Sequence, residues 1–411
     1  MNKTNFLFIS IIILALIFLV GYIFLNKKCV KETFSSFPFT DSELSKLDWF
    51  QIGEDIIGEG LGDRFGSSVS MNSDGSIVAI GAPYNSDNKG HVIVYEYDGS
   101  QWEQMGEDIK VTTSDQMFGD SVSLSSDGLT VAIGGYGFRK AGLVSVHTWN
   151  GTSWNKKGQD LTNNENGGIV SLSEDGNIVA IGDEYYDGSG HVIVYEYRGS
   201  QWTQLGENIN GASGDHSGHS VSLSSNGQIV AIGARLRNAT GPNRGCVRVY
   251  EYKGSQWEKL GSDINGATVR DQFGDAVSLS SNGKIVAIGS KFHNTNRGHV
   301  RVYKYNGSQW TQLGVDIDGK NKSGESVSLS SDGNILAIGA TGSKGHVKVY
   351  KWDGTQWTQL GEDLVGQTRN GQFGCAVSLS SDGSKVVIGE KYYDNMTASD
   401  IGNVSVFEIK E

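Results

Sequence analysis

Ser121-Val122-Ser123-Leu124-Ser125-Ser126-Asp127-Gly128 is followed by Leu129-Thr130-Val131-Ala132-Ile133-Gly134. The first half alternates small polar and apolar residues, which is the period of a strand with one buried face. Asp-Gly then supplies the positive backbone angles of a tight hairpin. The second half is a short unbroken apolar run, read as a strand buried on both faces. The phrase recurs seven times, its valine falling at Val69, Val122, Val170, Val221, Val277, Val327 and Val377. A second phrase, Trp-x-Gln-Leu-Gly-x-Asp-Ile, also occurs seven times in recognisable form, with Trp49, Trp102, Trp154, Trp202, Trp257, Trp310 and Trp357. Between the two lies a Val-x-Val-Tyr-x-Tyr stretch such as Val92 to Tyr97.

Each unit of ~50 residues therefore reads as four strands, A to D. Units that need neighbours to cover both faces describe an all-β, seven-bladed β-propeller. Trp49 to Ile56 is a strand D that precedes any strand A, and the seventh unit, from Phe373 to Ile409, stops after strand C. The first strand is thus expected to complete the last blade and remove two exposed edges.

Composition agrees. The 411 residues hold 57 glycines and 3 prolines, with 37% hydrophobic and 19% charged residues. Collagen-like and proline-rich disordered chains are excluded. A net charge of −12 argues against a nucleic-acid partner. Cys29, Cys246 and Cys375 are too few for a disulfide framework.

Phe6 to Leu25 carries no charge and is bracketed by Lys3 and by Lys27, Lys28 and Lys31. Twenty residues at helical rise suffice to cross ~30 Å of hydrocarbon. A cleaved signal peptide is the alternative, but its core is shorter and ends at small residues. The expected organisation is a tail over 1–5, a transmembrane helix over 6–25, a stalk over 26–46 and the propeller over 47–411. Lysine counting weakly places the C-terminal flank inside, whereas a surface role puts the propeller on the outer side. Cys29 is a palmitoylation candidate or an incidental free thiol. The sequons at Asn150, Asn238, Asn306, Asn321, Asn395 and Asn403 do not decide orientation in a chain this rich in Asn, Ser and Thr.

Phe65-Gly66 followed by Gly81-Ala82-Pro83 resembles the FG-GAP repeat, the unit of the seven-bladed propeller of integrin α subunits. Phe-Gly returns as Phe118-Gly119, Phe273-Gly274 and Phe373-Gly374, and is replaced by Asn166-Gly167, Ser217-Gly218 and Ser323-Gly324. The resemblance implies a propeller that recognises a partner at a surface. The calcium loops of integrin-type repeats do not carry over, because the A–B connection is only Ser-Asp-Gly or Ser-Asn-Gly, too few oxygens for calcium.

No nucleophile elbow, His-Glu-x-x-His or phosphate loop is present, and no cofactor or metal is expected. His91, His191, His299 and His346 occupy equivalent positions, too far apart on adjacent blades to share an ion. His216 and His219 read as a loop pair without a clear third ligand. Asp98-Gly99-Ser100-Gln101-Trp102 is only superficially similar to the sialidase turn.

The A–B and C–D connections are short and uniform, whereas the B–C and D–A connections vary and share the other face. Recognition tends to live on such loops. The B–C loops offer Tyr84, Tyr185, Tyr186, Arg235, Arg237, Arg244, Phe292, His293, Tyr392 and Tyr393; the D–A loops add Asp63, Asp115, Asp215, Arg270 and Asp271. The expectation is non-enzymatic recognition or adhesion toward a protein or glycan. A glycan hydrolase and a purely structural surface component are the alternatives.

Overall fold

The structure is a computed structural model that describes residues 47–410, except 113–115, 138–140, 163–166, 238–242 and 395–398. The segments 1–5, 6–25 and 26–46 lie outside the described residues, as does Cys29. Among the described residues no helix is long and apolar enough to cross a membrane.

Seven antiparallel sheets succeed one another along the chain. In the first, strand A is Ser68–Met71, strand B Ile77–Ala82 and strand C His91–Tyr97. Every residue of strand B is buried there and in five of the other six sheets, as expected of the unbroken apolar runs; the seventh, Lys385–Glu390, departs only at Lys385. Strand D differs from expectation. It is split into Trp102–Gln104 and Ile109–Lys110, both paired with strand C. Gly106 sits at the break with φ +72°, and an indole of the next blade fills the space a side chain would take.

That break explains the second phrase. Each indole Nε1 donates to the carbonyl just before the break in the preceding blade. Trp102 reaches Ile52 (3.0 Å), Trp154 reaches Met105 (2.8 Å), and Trp202 reaches Lys157 (2.6 Å). Trp257, Trp310 and Trp357 repeat the contact to Leu205, Leu260 and Leu313. Trp49 donates to Leu360 at 2.8 Å. The first strand, Asp48–Gln51, lies antiparallel on the last, Asn403–Lys410, with Asp48 opposite Lys410.

The first phrase is built the same way. The Ser70 hydroxyl accepts the Leu124 backbone N–H (2.9 Å), Ser123 accepts Leu172 (3.0 Å), and so on round to Ser378, which accepts Met71 (3.1 Å). At the A–B hairpins a backbone ring runs Ser73→Ser126→Glu174→Ser225→Ser281→Ser331→Ser381→Ser73 at 2.8–3.0 Å. Each bond contributes only about 0.5–1.5 kcal/mol net, but together they fix one blade spacing. The hairpin aspartates are turn residues: the Asp175 carboxylate accepts the Ser173 hydroxyl (2.6 Å) and the Asn177 N–H (3.0 Å).

Candidate functional site

Strand A begins and strand B ends on the same side of each sheet, so the D–A and B–C loops share one face. There the A strands of all seven blades line a cavity of about 240 Å³ at the mouth of the central channel. The residue after each Phe-Gly-type pair points to it. Those residues are Ser67, Asp120, His219, Asp275, Glu325 and Cys375, whereas the third blade lines the cavity from Ile169. In that blade the close contact with Gly134 is made by the Gly168 carbonyl, one residue beyond the pair Asn166-Gly167 singled out by spacing. Asn166 itself is outside the described residues.

The mouth carries an ion-pair network that repeat reasoning did not find. His219 is the third residue of a strand A (Ser217–Leu223) and does not sit in a loop. Its Nδ1 lies 3.1 Å from Glu184, and its Nε2 lies 3.3 Å from Asp275. Arg235 grips Glu184 through two bonds of 3.1 Å. Lys291 bridges Asp275 and Glu325, both at 3.0 Å. Burial alone would lower the His219 pKa, but the Asp275 and Glu184 carboxylates raise it above the usual value. Burial likewise opposes ionisation of Glu184, yet His219 and Arg235 hold it down at about 2. Opposite charges thus face one another across blades three to six. The sequence signal for it was present: these positions vary in charge inside an otherwise uniform phrase.

The other candidates divide by environment. Asp63, Asp215 and Asp271 are buried. Asp63 accepts from the Asn85 side chain (2.7 Å), and Asp215 pairs with Arg248 (2.6 Å). Asp271 accepts the Thr268 N–H (2.9 Å) and lies 3.0 Å from His293 Nδ1. Arg237 pairs with Asp263. These groups hold the loops to the blades. Asp115 lies outside the described residues. Tyr186 packs on His191 with ring centroids 3.9 Å apart. Arg244 and Tyr393 are half-buried, whereas Arg270 is exposed.

Tyr84, Tyr185, Phe292 and Tyr392 occupy equivalent places, two residues beyond the end of strand B. Tyr185 is exposed and meets Tyr136 and His216 edge-on at 5.9 and 5.7 Å. The Arg64 guanidinium stacks 3.9 Å from the Tyr84 ring and 4.9 Å from Tyr392, joining the first and last blades. Four aromatic side chains thus occupy one repeated position in the B–C loops, on the face that carries the charged mouth. Of the strand-C histidines, His91, His191 and His299 are buried. Burial, then the neighbouring His293 and Arg301, lowers His299 to about 4, so its imidazole is neutral at neutral pH.

Glu390, at the end of a strand B, is 1% exposed. Burial, reinforced by Asp55, raises its pKa to about 7. A folded-state pKa above the unfolded value gives stability that is complete below about pH 4.5 and is lost as pH rises through 7. Glu390→Gln should leave denaturant stability unchanged at pH 4. At pH 8 it should add up to about 3 kcal/mol, the equivalent of the pKa displacement. Equal gains at both pH values would show that Glu390 is not the titrating group.

Residues 60–95 match the FG-GAP repeat family. A search of curated proteins finds no match.

Proposed function

From an FG-GAP repeat carried on a seven-bladed propeller, we propose a non-enzymatic recognition protein that binds a protein or glycan through its B–C and D–A loop face. The N-terminal apolar segment 6–25 holds it at a membrane or virion surface, with the propeller on the outer side. The observation that carries this reading is the set of aromatic side chains at equivalent positions of the B–C loops. Aromatic rings offer large contact areas at low entropic cost and anchor interfaces. Arg235 and Arg237 serve the loops' own ion pairs, so the contacts to a partner fall to Tyr84, Tyr185, Phe292 and Tyr392.

The test is binding of the full chain, in lipid vesicles, to a glycan array and to a panel of cell-surface proteins. Combined Tyr185→Ala and Phe292→Ala substitution should abolish retention of any hit while leaving the melting curve unchanged. Retention unaffected by the double substitution would remove the loop face from consideration. The hydrolase alternative draws on Glu390, whose raised pKa of about 7 suits an exchange of protons near neutral pH. Glycoside turnover that disappears in Glu390→Gln would favour it over recognition.

A further inference from the structure

Asp271, His293 and His299 bring one carboxylate and two imidazoles together in the fifth blade, their donor atoms all within 4.8 Å of one another. The geometry points to a binding site for a divalent transition-metal ion of the zinc or cobalt class, held by Asp271, His293 and His299 at the junction of one blade's D–A loop, B–C loop and strand C. Repeat position did not reveal it, because only His299 belongs to the repeated histidine set.

Two observations carry the assignment. His299 is fully buried, and neither of its ring nitrogens has a hydrogen-bond partner. The nearest carboxylate, Asp316, is 3.8 Å from Nδ1 and is engaged by Arg301 at 2.6 Å. A buried imidazole without a partner is costly, and a metal bond is one way to satisfy it. The second observation is a comparison inside the molecule. In the first blade the corresponding aspartate, Asp63, is braced by an amide from Asn85. In the fifth blade the brace is an imidazole, His293, which also stacks on His299 with centroids 3.8 Å apart. Bracing alone needs only the amide; the imidazole adds a ligand.

The donor set suits the assignment. Two imidazoles and one carboxylate match borderline ions such as Zn²⁺ and Co²⁺ better than Ca²⁺ or Mg²⁺, which prefer oxygen ligands. A tetrahedral ion with bonds of about 2.0–2.2 Å needs donors roughly 3.5 Å apart. The three donors, all within 4.8 Å of one another, have to close by about 1 Å to reach that spacing, and His293, the partly exposed member on the loop, has to leave its stack on His299 to do so.

Full-length protein freed of metal by chelation is titrated with Co²⁺ and followed by visible absorption, then competed with Zn²⁺. One saturable site per chain is expected, with tetrahedral Co²⁺ bands that Zn²⁺ removes. His293→Asn reproduces the brace of the first blade, so it should fold and melt like the parent. It should nevertheless weaken binding by more than the roughly tenfold to hundredfold that loss of an outer partner costs. His299→Ala should act likewise. Absence of a Co²⁺ site, or affinity unchanged in His293→Asn, would overturn the assignment.

Discussion

Gly81→Ala is expected to destabilise the propeller by more than about 3 kcal/mol, or to prevent its recovery as folded protein. A Cβ at this position would lie 1.9 Å from the Gly119 carbonyl oxygen of the next blade and 2.4 Å from the Ser68 hydroxyl. The obstacle is space. The neighbour on one side is backbone, which cannot swing aside as a flexible side chain would. Overpacking usually costs about 1–3 kcal/mol when a core can adjust. Here adjustment means widening the gap between two blades, which strains the indole and serine bonds on either side. The same contact recurs from Gly182 to Gly218 (2.2 Å) and from Gly389 to Gly66 (2.0 Å), so one enlarged gap is imposed on a ring of fixed spacings. Urea denaturation followed by circular dichroism measures the loss. Gly99→Ala is the comparison: φ there is +103°, and nothing lies within 4 Å of the added carbon. Its cost is backbone strain alone, about 1–3 kcal/mol. Stability of Gly81→Ala within 1 kcal/mol of the parent would show that the blade spacing is soft.

The second large effect is expected at Trp49. Its ring is 7% exposed, and its Nε1 bonds to Leu360, 311 residues away. Trp49→Ala should cost about 3–5 kcal/mol, as large aromatic truncations in cores do. Trp202→Ala removes an equivalent indole, 3% exposed, and should cost a similar amount. The two should differ in how they open. The strand bearing Trp202 is held to its neighbour by a hairpin, Arg198 opposite Gln201. The strand bearing Trp49 reaches its partner strand only by pairing, Asp48 with Lys410. Trp49→Ala should therefore accelerate protease cleavage around residues 48–57 under native conditions and leave Asn403–Lys410 as an unprotected edge prone to association. Trp202→Ala should not. Equal cleavage patterns would mean that the first strand is no weaker a joint than the others.

Those contacts bear on what the chain announces beforehand. Strand period, hairpin position and the seven-fold count are local signals, set by residues two to five apart, and they were readable. The tryptophan and glycine positions were readable as repeats, but their partners were not. An indole that bonds to a carbonyl about fifty residues earlier leaves no mark in its own phrase. The break in strand D also escaped, because Trp-x-Gln-Leu-Gly-x-Asp-Ile alternates well enough to pass for one strand. Residue type marks Tyr185 and Arg235 alike as loop candidates and does not separate Tyr185, which is exposed, from Arg235, whose guanidinium is held by Glu184.

The sequence by itself therefore determined the architecture: an all-β, seven-fold repeat whose glycines and hairpins specify four-stranded units. The tertiary structure alone decided which side chains meet between those units. The network of Glu184, His219, Asp275 and Lys291 draws on three blades, and the cluster of Asp271, His293 and His299 draws on two loops and a strand. The physical reason is one of range. Backbone geometry and hydrophobic period act between neighbours in the chain, whereas these contacts depend on how far apart the packed sheets stand and on where each loop places its ends.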